Sequence, residues 1–250
     1  MYAIEKFHYV PDEDVEDICM YKPGGYHPVK LGEIFQNGGS SKYRILQKLG
    51  SGSFATVWLA EDLLKGRYVA LKILISDATA NGNEAQILRW LDNQSRGHPG
   101  YRHVAHLLDC FQIKGPNGTH DVLIMEPMVS LFWLHREATD IISSHGKSFI
   151  HQMISGLLYL HSLQVMHGDL HLSNIGLALP DLDKYSESEL SFAFDDPEPT
   201  IVLPLRPEDQ TNSLPTYVIR PISLAELVLE QLRTSKSTDL CVRIMDFGNG

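Results

Sequence analysis

Four short stretches of this chain carry side chains suited to phosphates, a hydroxyl proton and a hard cation. Leu49-Gly50-Ser51-Gly52-Ser53-Phe54-Ala55-Thr56-Val57 sets two glycines one residue apart. Without Cβ atoms, backbone N–H groups there can come close to phosphate oxygens. Ala55 stands where a third small residue would also permit close approach. Val69-Ala70-Leu71-Lys72 places an ammonium among apolar neighbours, and Glu84 follows as a carboxylate able to orient that charge. Met166-His167-Gly168-Asp169-Leu170-His171-Leu172-Ser173-Asn174 combines a carboxylate that can take a hydroxyl proton with an amide oxygen that suits a divalent cation. Ile244-Met245-Asp246-Phe247-Gly248 offers a second oxygen ligand after an apolar run and before a flexible glycine. Each stretch alone is weak: a Gly-Ser-Gly-Ser run is commonly a plain loop, and a strand lysine can simply guard a sheet edge. Their order along the chain makes them jointly specific.

The elements that must position these residues can be read from periodicity. Residues 1–42 are polar and Gly/Pro-rich, with acidic residues at Asp12–Asp14 and turn signals at Pro23-Gly24-Gly25 and Asn37-Gly38-Gly39, and read as an extended N-terminal arm. From Tyr43 the pattern becomes strand-like, over 43–49, 56–61 and 67–75, rich in β-branched and aromatic residues. Residues 83–93 read as a helix with Asn83 at its N-cap and Ile87, Leu88 and Leu91 on one face. Residues 105–113 and 121–125 read as a hairpin around Gly115-Pro116-Asn117-Gly118. After residue 127 the period turns helical. Residues 149–163 form a wide apolar stripe whose plain reading is core packing. Residues 180–240 lose periodicity, except for a short amphipathic stretch at 222–233, and read as an inserted spacer. Residues 242–245 resume as a buried strand. The division expected is an arm (1–42), a small lobe (43–127), the start of a helical lobe with its polar loop (128–179), the spacer (180–240) and the final strand (241–250).

Composition narrows the function classes. No run of 18 apolar residues exists, so no membrane-spanning helix is expected, and the N-terminus lacks the pattern of a secretory signal. The three cysteines, Cys19, Cys110 and Cys241, are odd in number and widely spaced, which fits neither a disulfide framework nor a zinc site. A reducing compartment, cytoplasm or nucleus, is the expectation. A formal charge of −10 argues against a general nucleic-acid binder and suits a basic partner.

The four stretches, in this order and on these elements, resemble the eukaryotic protein kinases, and more closely the SR-protein kinases. Tyr21-Lys22-Pro23-Gly24-Gly25-Tyr26-His27-Pro28-Val29 resembles the segment preceding the kinase core in that group. Phe54–Ala60 is similar to its second strand, Gly115–His120 to its fourth-to-fifth strand turn, and the spacer before Asp-Phe-Gly to its characteristic insert. The resemblance implies an α+β, two-lobe fold: a five-stranded antiparallel small lobe with one helix, and an incomplete helical large lobe. It implies ATP and Mg²⁺ as cofactors and a protein substrate, serine in Arg/Ser-rich splicing factors, with no direct contact to nucleic acid or membrane. On this pattern Lys72 and Glu84 pair on the phosphates, and Asp169 orients the serine hydroxyl. His171 stands where a lysine usually neutralises the transferring phosphate, and Asn174 and Asp246 hold magnesium. ATP is expected along Leu49–Val57, with its adenine against Ala70 and Glu126–Met128 and with Met125 as gatekeeper.

Two departures qualify the resemblance. Gly168 replaces the usual arginine before the aspartate, as it often does in this group, so no switch through a phosphorylated activation segment is expected. His-Gly-Asp-Leu-His is also similar to small-molecule phosphotransferases, although the strand signatures at 54–60 and 69–72 favour the protein kinases. No activation segment follows Asp-Phe-Gly within these residues. The 250 residues are therefore expected to transfer little phosphate to a peptide, and a non-catalytic nucleotide-binding scaffold is the alternative reading.

Overall fold

A strand whose alternate residues are apolar on one side only must cover that side, and most of the first half of this chain does so on one sheet. The computed structural model describes residues 15–94, 96–179, 182–186, 189–190, 197–204, 206, 211–234 and 240–248. They fall into two compact units. The first is built from the described parts of Met1–Gly82, Asp109–Ile124 and Leu190–Ile222, the second from those of Asn83–Leu108, Met125–Glu189 and Ser223–Gly250.

The first unit centres on strands β1 (Ile34–Asn37), β2 (Ser41–Gly52), β3 (Ala55–Asp62), β4 (Arg67–Leu74), β5 (Leu107–Gly115) and β6 (Gly118–Met125) in the order β1-β2-β3-β4-β6-β5. β1 to β4 pair antiparallel. Tyr43 and Ile45 on β2, Trp58 and Ala60 on β3, Val69, Leu71 and Ile73 on β4, and Val122 and Ile124 on β6 all enter one apolar cluster. The period of two in each set is the pleat made visible. Helix α1 (Ser76–Asn81) follows β4.

This sheet corrects the expectation of five strands: it has six. Ile34–Asn37 pairs with Ser41–Arg44 across the Gly38-Gly39 turn, where both glycines have positive φ, and Phe35 joins the apolar cluster. The described residues ahead of it are not an extended arm either. Ile18, Tyr21 and Tyr26 form a second cluster with Ile75, Val202 and Val218. The Asp12–Asp14 run lies outside the described residues.

The spacer also divides. Strands β9 (Thr200–Ile201) and β10 (Tyr217–Val218) pair with each other in the first unit, and Ile219 is buried in the main cluster. Burial of one such side chain is worth roughly 1.5–3 kcal/mol, enough to hold an aperiodic segment on a sheet. The Tyr217 hydroxyl accepts from Leu31 N (2.9 Å), and Asn117 Nδ2 donates to Tyr26 O (2.6 Å) and Ser213 O (3.0 Å).

His27 and His120 lie side by side in this unit, ring centroids 5.1 Å apart, with His27 Nδ1 and His120 Nε2 buried and unbonded in the structure. Burial holds both imidazoles neutral, lowering His27 from 6.5 to about 4, and His120 as well. A histidine whose folded pKa is depressed stabilises above its unfolded value, and that stability is lost as pH falls toward the folded value. For His27 the window is pH 6.5 down to about 4, worth about 3 kcal/mol at 1.36 kcal/mol per unit. Urea melts across that range should show the loss, and His27→Phe should flatten it. An equally steep decline in the variant would locate the acid sensitivity elsewhere.

In the second unit, helix α2 (Glu84–Asp92) buries Glu84, Ala85, Leu88 and Leu91; Asn83 occupies the N-cap position without a side-chain cap bond. Strand β7 (Met128–Ser130) leads into α3 (Leu131–Glu137), capped by Ser130 Oγ accepting from Trp133 N, and then into α4 (Thr139–Ser162). α4 begins ten residues before the apolar stripe that announced it. Phe149, Gly156, Tyr159 and Leu160 are buried, whereas Ile150, Ile154 and Leu158 are exposed, so the core reading holds for only part of that stripe. Helix α5 (Ala225–Thr234) is the amphipathic stretch of the spacer. Strands β8 (Ile175–Ala178) and β11 (Val242–Ile244) complete a small sheet in the order β11-β8-β7.

Candidate active site

The glycine-rich stretch forms the β2–β3 hairpin, with Gly52 paired to Ala55 and Gly50 to Val57, so Ser53 and Phe54 make the turn. Ser51 to Phe54 are exposed. A Cβ built on Gly50 or Gly52 meets nothing within 4 Å, so no packing in the protein demands glycine there. The open space beside two bare backbone positions is what an approaching phosphate requires. Val69, Leu71 and Ile73 enter the cluster, so by alternation Ala70 and Lys72 face the other side of β4, where the register sets Lys72 opposite Val57. Leu49 is half-buried, Thr56 buried and Lys72 almost fully buried. On β6, Val122 and Ile124 take core places, so Leu123 and Met125 turn the other way.

The second unit assembles the polar loop around one strand pair. β8 and β11 run antiparallel with Ile175 opposite Ile244, and pairing continues one step further, Met245 N donating to Asn174 O (2.9 Å). Asn174 precedes β8 and Asp246 follows β11. An antiparallel pair must bring those two positions to the same end, although 71 residues lie between them in sequence. Asn174 Nδ2 donates to Asp169 O (2.9 Å) and Asn174 N to His171 O (2.9 Å), so the loop closes on the asparagine. His167, which composition alone does not distinguish, proves to be the anchor. It is buried against Phe247 (centroids 5.2 Å), contacts Met245 O through Nε2 (2.9 Å), and accepts from Asp169 N at Nδ1 (3.3 Å). These contacts assign the proton to Nε2.

Gly168 has φ +75°, a left-handed backbone that a side chain at this position would strain, which accounts for the glycine. Asp246 adopts φ +68° without being glycine, and its Oδ1 accepts from Gly248 N (3.4 Å). Such outliers persist where the surroundings over-determine them. His171 Nδ1 accepts from Ser173 N (3.2 Å), leaving Nε2–H toward the Asp169 carboxylate at 3.8 Å; both side chains are about half-exposed. Glu84 is buried in the first turn of α2, and its Oε2 would lie 3.9 Å from a Cβ built on Gly248. Glu126 is held by Arg243 (2.7 Å), and Met128 pairs with Ala178 over Gly176, where a Cβ would fall 2.9 Å from the Met128 side chain. Thus Glu84, Met125, Glu126, Met128, Asp169, His171, Asn174 and Asp246 belong to the second unit, and Leu49–Val57, Ala70 and Lys72 to the first.

The donor set fits a magnesium ion. Asn174 and Asp246 supply hard oxygens at one end of the strand pair, and among the described residues no cluster of three or more His, Cys, Asp or Glu could cage a metal alone. Mg²⁺ takes one or two protein oxygens and completes its shell with water and phosphate.

A hairpin with bare glycines, a buried strand lysine and an aspartate loop closed on an asparagine are the features that mark the protein kinase class. The sequence matches the protein kinase domain over residues 43–181, more than half of the chain, and the chain belongs to that family. Protein kinases use ATP with a divalent metal. Human SRSF protein kinase 3 is 35% identical over 182 residues, covering 68% of this chain and 30% of the relative. A serine/threonine protein kinase of Aspergillus fumigatus is 38% identical over 159 residues, covering 62% and 39%, and SKY1 of Saccharomyces cerevisiae 33% identical over 182 residues, covering 69% and 24%. The chain therefore matches well under half the length of these relatives. A crystallised kinase domain superposes with a TM-score of 0.50 at 19% identity, covering 88% of this chain and 53% of the other, a likeness of fold.

Proposed function

We propose that this protein transfers the γ-phosphate of ATP to serine hydroxyls of Arg/Ser-rich proteins. The observation that carries the reading is the β8–β11 pair, which sets Asn174 and Asp246 at one end while Asn174 fastens the Asp169 loop. When bound, magnesium would offset charge on the phosphates, with Asn174 and Asp246 as its protein ligands. Asp169 receives the proton of the incoming serine hydroxyl and fixes its direction. His171 presents Nε2–H beside that carboxylate, a hydrogen-bond donor where the family pattern has a lysine. In the first unit, Lys72 and the Gly50–Gly52 hairpin would bind the phosphates, with Ala70 against the adenine. The similarity to SRSF protein kinase 3 supports an Arg/Ser-rich substrate, and the net charge of −10 favours so basic a partner. A cytoplasmic and nuclear location would follow from such substrates.

Removal of the Lys72 ammonium deletes a charge-assisted contact to phosphate. Lys72→Ala should weaken Mg·ATP binding roughly 10- to 100-fold, measured by titration calorimetry. A well-folded wild-type protein that gives no heat with Mg·ATP would overturn the reading.

A further inference from the structure

The segment preceding the sheet is fastened to the glycine-rich hairpin at two points, and one of them acts on its backbone directly. The Glu16 carboxylate forms a buried ion pair with Lys48, two residues before Gly50. Further along, the Tyr26 hydroxyl donates to the carbonyl oxygen of Gly52 at 2.6 Å. Tyr26 is itself immobilised. Its ring is buried against Tyr21 (centroids 5.4 Å), its N–H donates to Met20 O (2.9 Å), and its carbonyl accepts from Asn117 Nδ2 (2.6 Å). The turn that delivers it tolerates no bulk: a Cβ on Gly25 would fall 1.8 Å from Met20 O, and one on Gly24, at φ +87°, 2.6 Å from the Asp77 carboxylate.

We infer that Tyr26 is a positioning residue for phosphate recognition, holding the Gly52–Ser53 peptide plane so that the Ser53 N–H is presented to the nucleotide. A trans peptide is planar, with its C=O and N–H pointing in opposite directions. Fixing the Gly52 carbonyl on Tyr26 therefore aims the Ser53 N–H away from the segment, into the open space beside Gly50 and Gly52. Glycine at 52 has no side-chain packing to fix that plane, and Ser53 is exposed, so the hydroxyl of Tyr26 replaces packing as the restraint. Burial and the nearby Glu16 raise the Tyr26 hydroxyl to about 12, so it remains a donor at neutral pH.

This inference rests on the proposed ATP-binding role, and the experiment separates the two. Tyr26→Phe keeps the ring and removes only the donor. It should weaken Mg·ATP binding roughly 3- to 10-fold, the scale of one net hydrogen bond, while adenosine, which has no phosphate, binds within twofold of wild type. In nucleotide-free protein, amide hydrogen exchange at Ser53 should accelerate. Tyr21→Phe is the control: it removes a buried bond to Glu16 in the same cluster without touching Gly52, and should leave Ser53 exchange unchanged. Parallel loss of ATP and adenosine affinity, unchanged Ser53 exchange in Tyr26→Phe, or equal acceleration in Tyr21→Phe would each overturn the assignment. If wild-type protein binds no Mg·ATP, the catalytic reading falls, and the exchange comparison still decides whether Tyr26 holds the hairpin.

Discussion

Asp169→Asn is expected to lower phosphate transfer to an Arg/Ser peptide by roughly 10²–10⁴-fold, with Mg·ATP affinity changed by no more than about threefold. The substitution removes the proton acceptor and one negative charge but leaves the backbone bonds that shape the loop. Those bonds run through the Asp169 backbone: its N–H donates to His167 Nδ1 and its carbonyl accepts from Asn174 Nδ2. The half-exposed carboxylate is not a packing element, so the loop should keep its form and continue to present Asn174 to the metal. An interaction made mainly in the transition state lowers turnover without weakening ground-state binding. Radiolabelled transfer by the full-length protein, beside calorimetry with ATP, measures both quantities. Activity within tenfold of wild type would remove Asp169 from the reaction, and a collapse of ATP affinity would make its role one of nucleotide binding.

The largest effect on stability is expected at Lys48. Its ammonium and the Glu16 carboxylate are buried together, at 0% and 1% side-chain exposure, and Glu16 also accepts from the Tyr21 hydroxyl at 2.5 Å. Burial lowers the Lys48 pKa, and the neighbouring Glu16 acts in the opposite direction. Lys48→Met would strand a carboxylate where water cannot reach it, a loss of about 3–5 kcal/mol for one broken buried pair. In a chain of this size each kcal/mol moves the melting point by about 2–4 °C, so a fall of roughly 6–20 °C should appear in calorimetry. Adding Glu16→Gln removes the stranded charge and should restore most of the loss. A single variant that melts within 2 °C of wild type, or a double variant no better than the single, would show the pair to be solvated in solution.

The candidate site of this chain was more legible than its packing. Gly50, Gly52, Lys72, Asp169, Asn174 and Asp246 stand out in the sequence because the phosphate and metal chemistry proposed for them restricts residue type within a few positions. The long strands and α2 follow from periodicity for the same local reason. What escaped depends on contacts between distant residues. Ile34-Phe35-Gln36-Asn37 is too short and too polar to look like a strand until Phe35 finds the cluster. Ile219 sits in a stretch with no period, yet is buried beneath the sheet. His167 could be read as one more polar loop residue, and only its contacts with Met245 and Phe247 show it as the anchor. Tyr26 lies in a turn whose glycines were visible and whose target at Gly52 was not.

The join between Asn174 and Asp246 also bears on how the protein can change over evolutionary time. Because β8 and β11 are registered by their own ladder, they hold together the two ends of the bight between Ala178 and Val242, of which Val202, Val218 and Ile219 are buried in the first unit. The entropy of closing such a bight grows only with the logarithm of its length, about 0.6 kcal/mol for each doubling. New sequence added away from those buried residues can therefore diverge and acquire binding partners of its own while the spacing of Asn174 and Asp246 stays as it is.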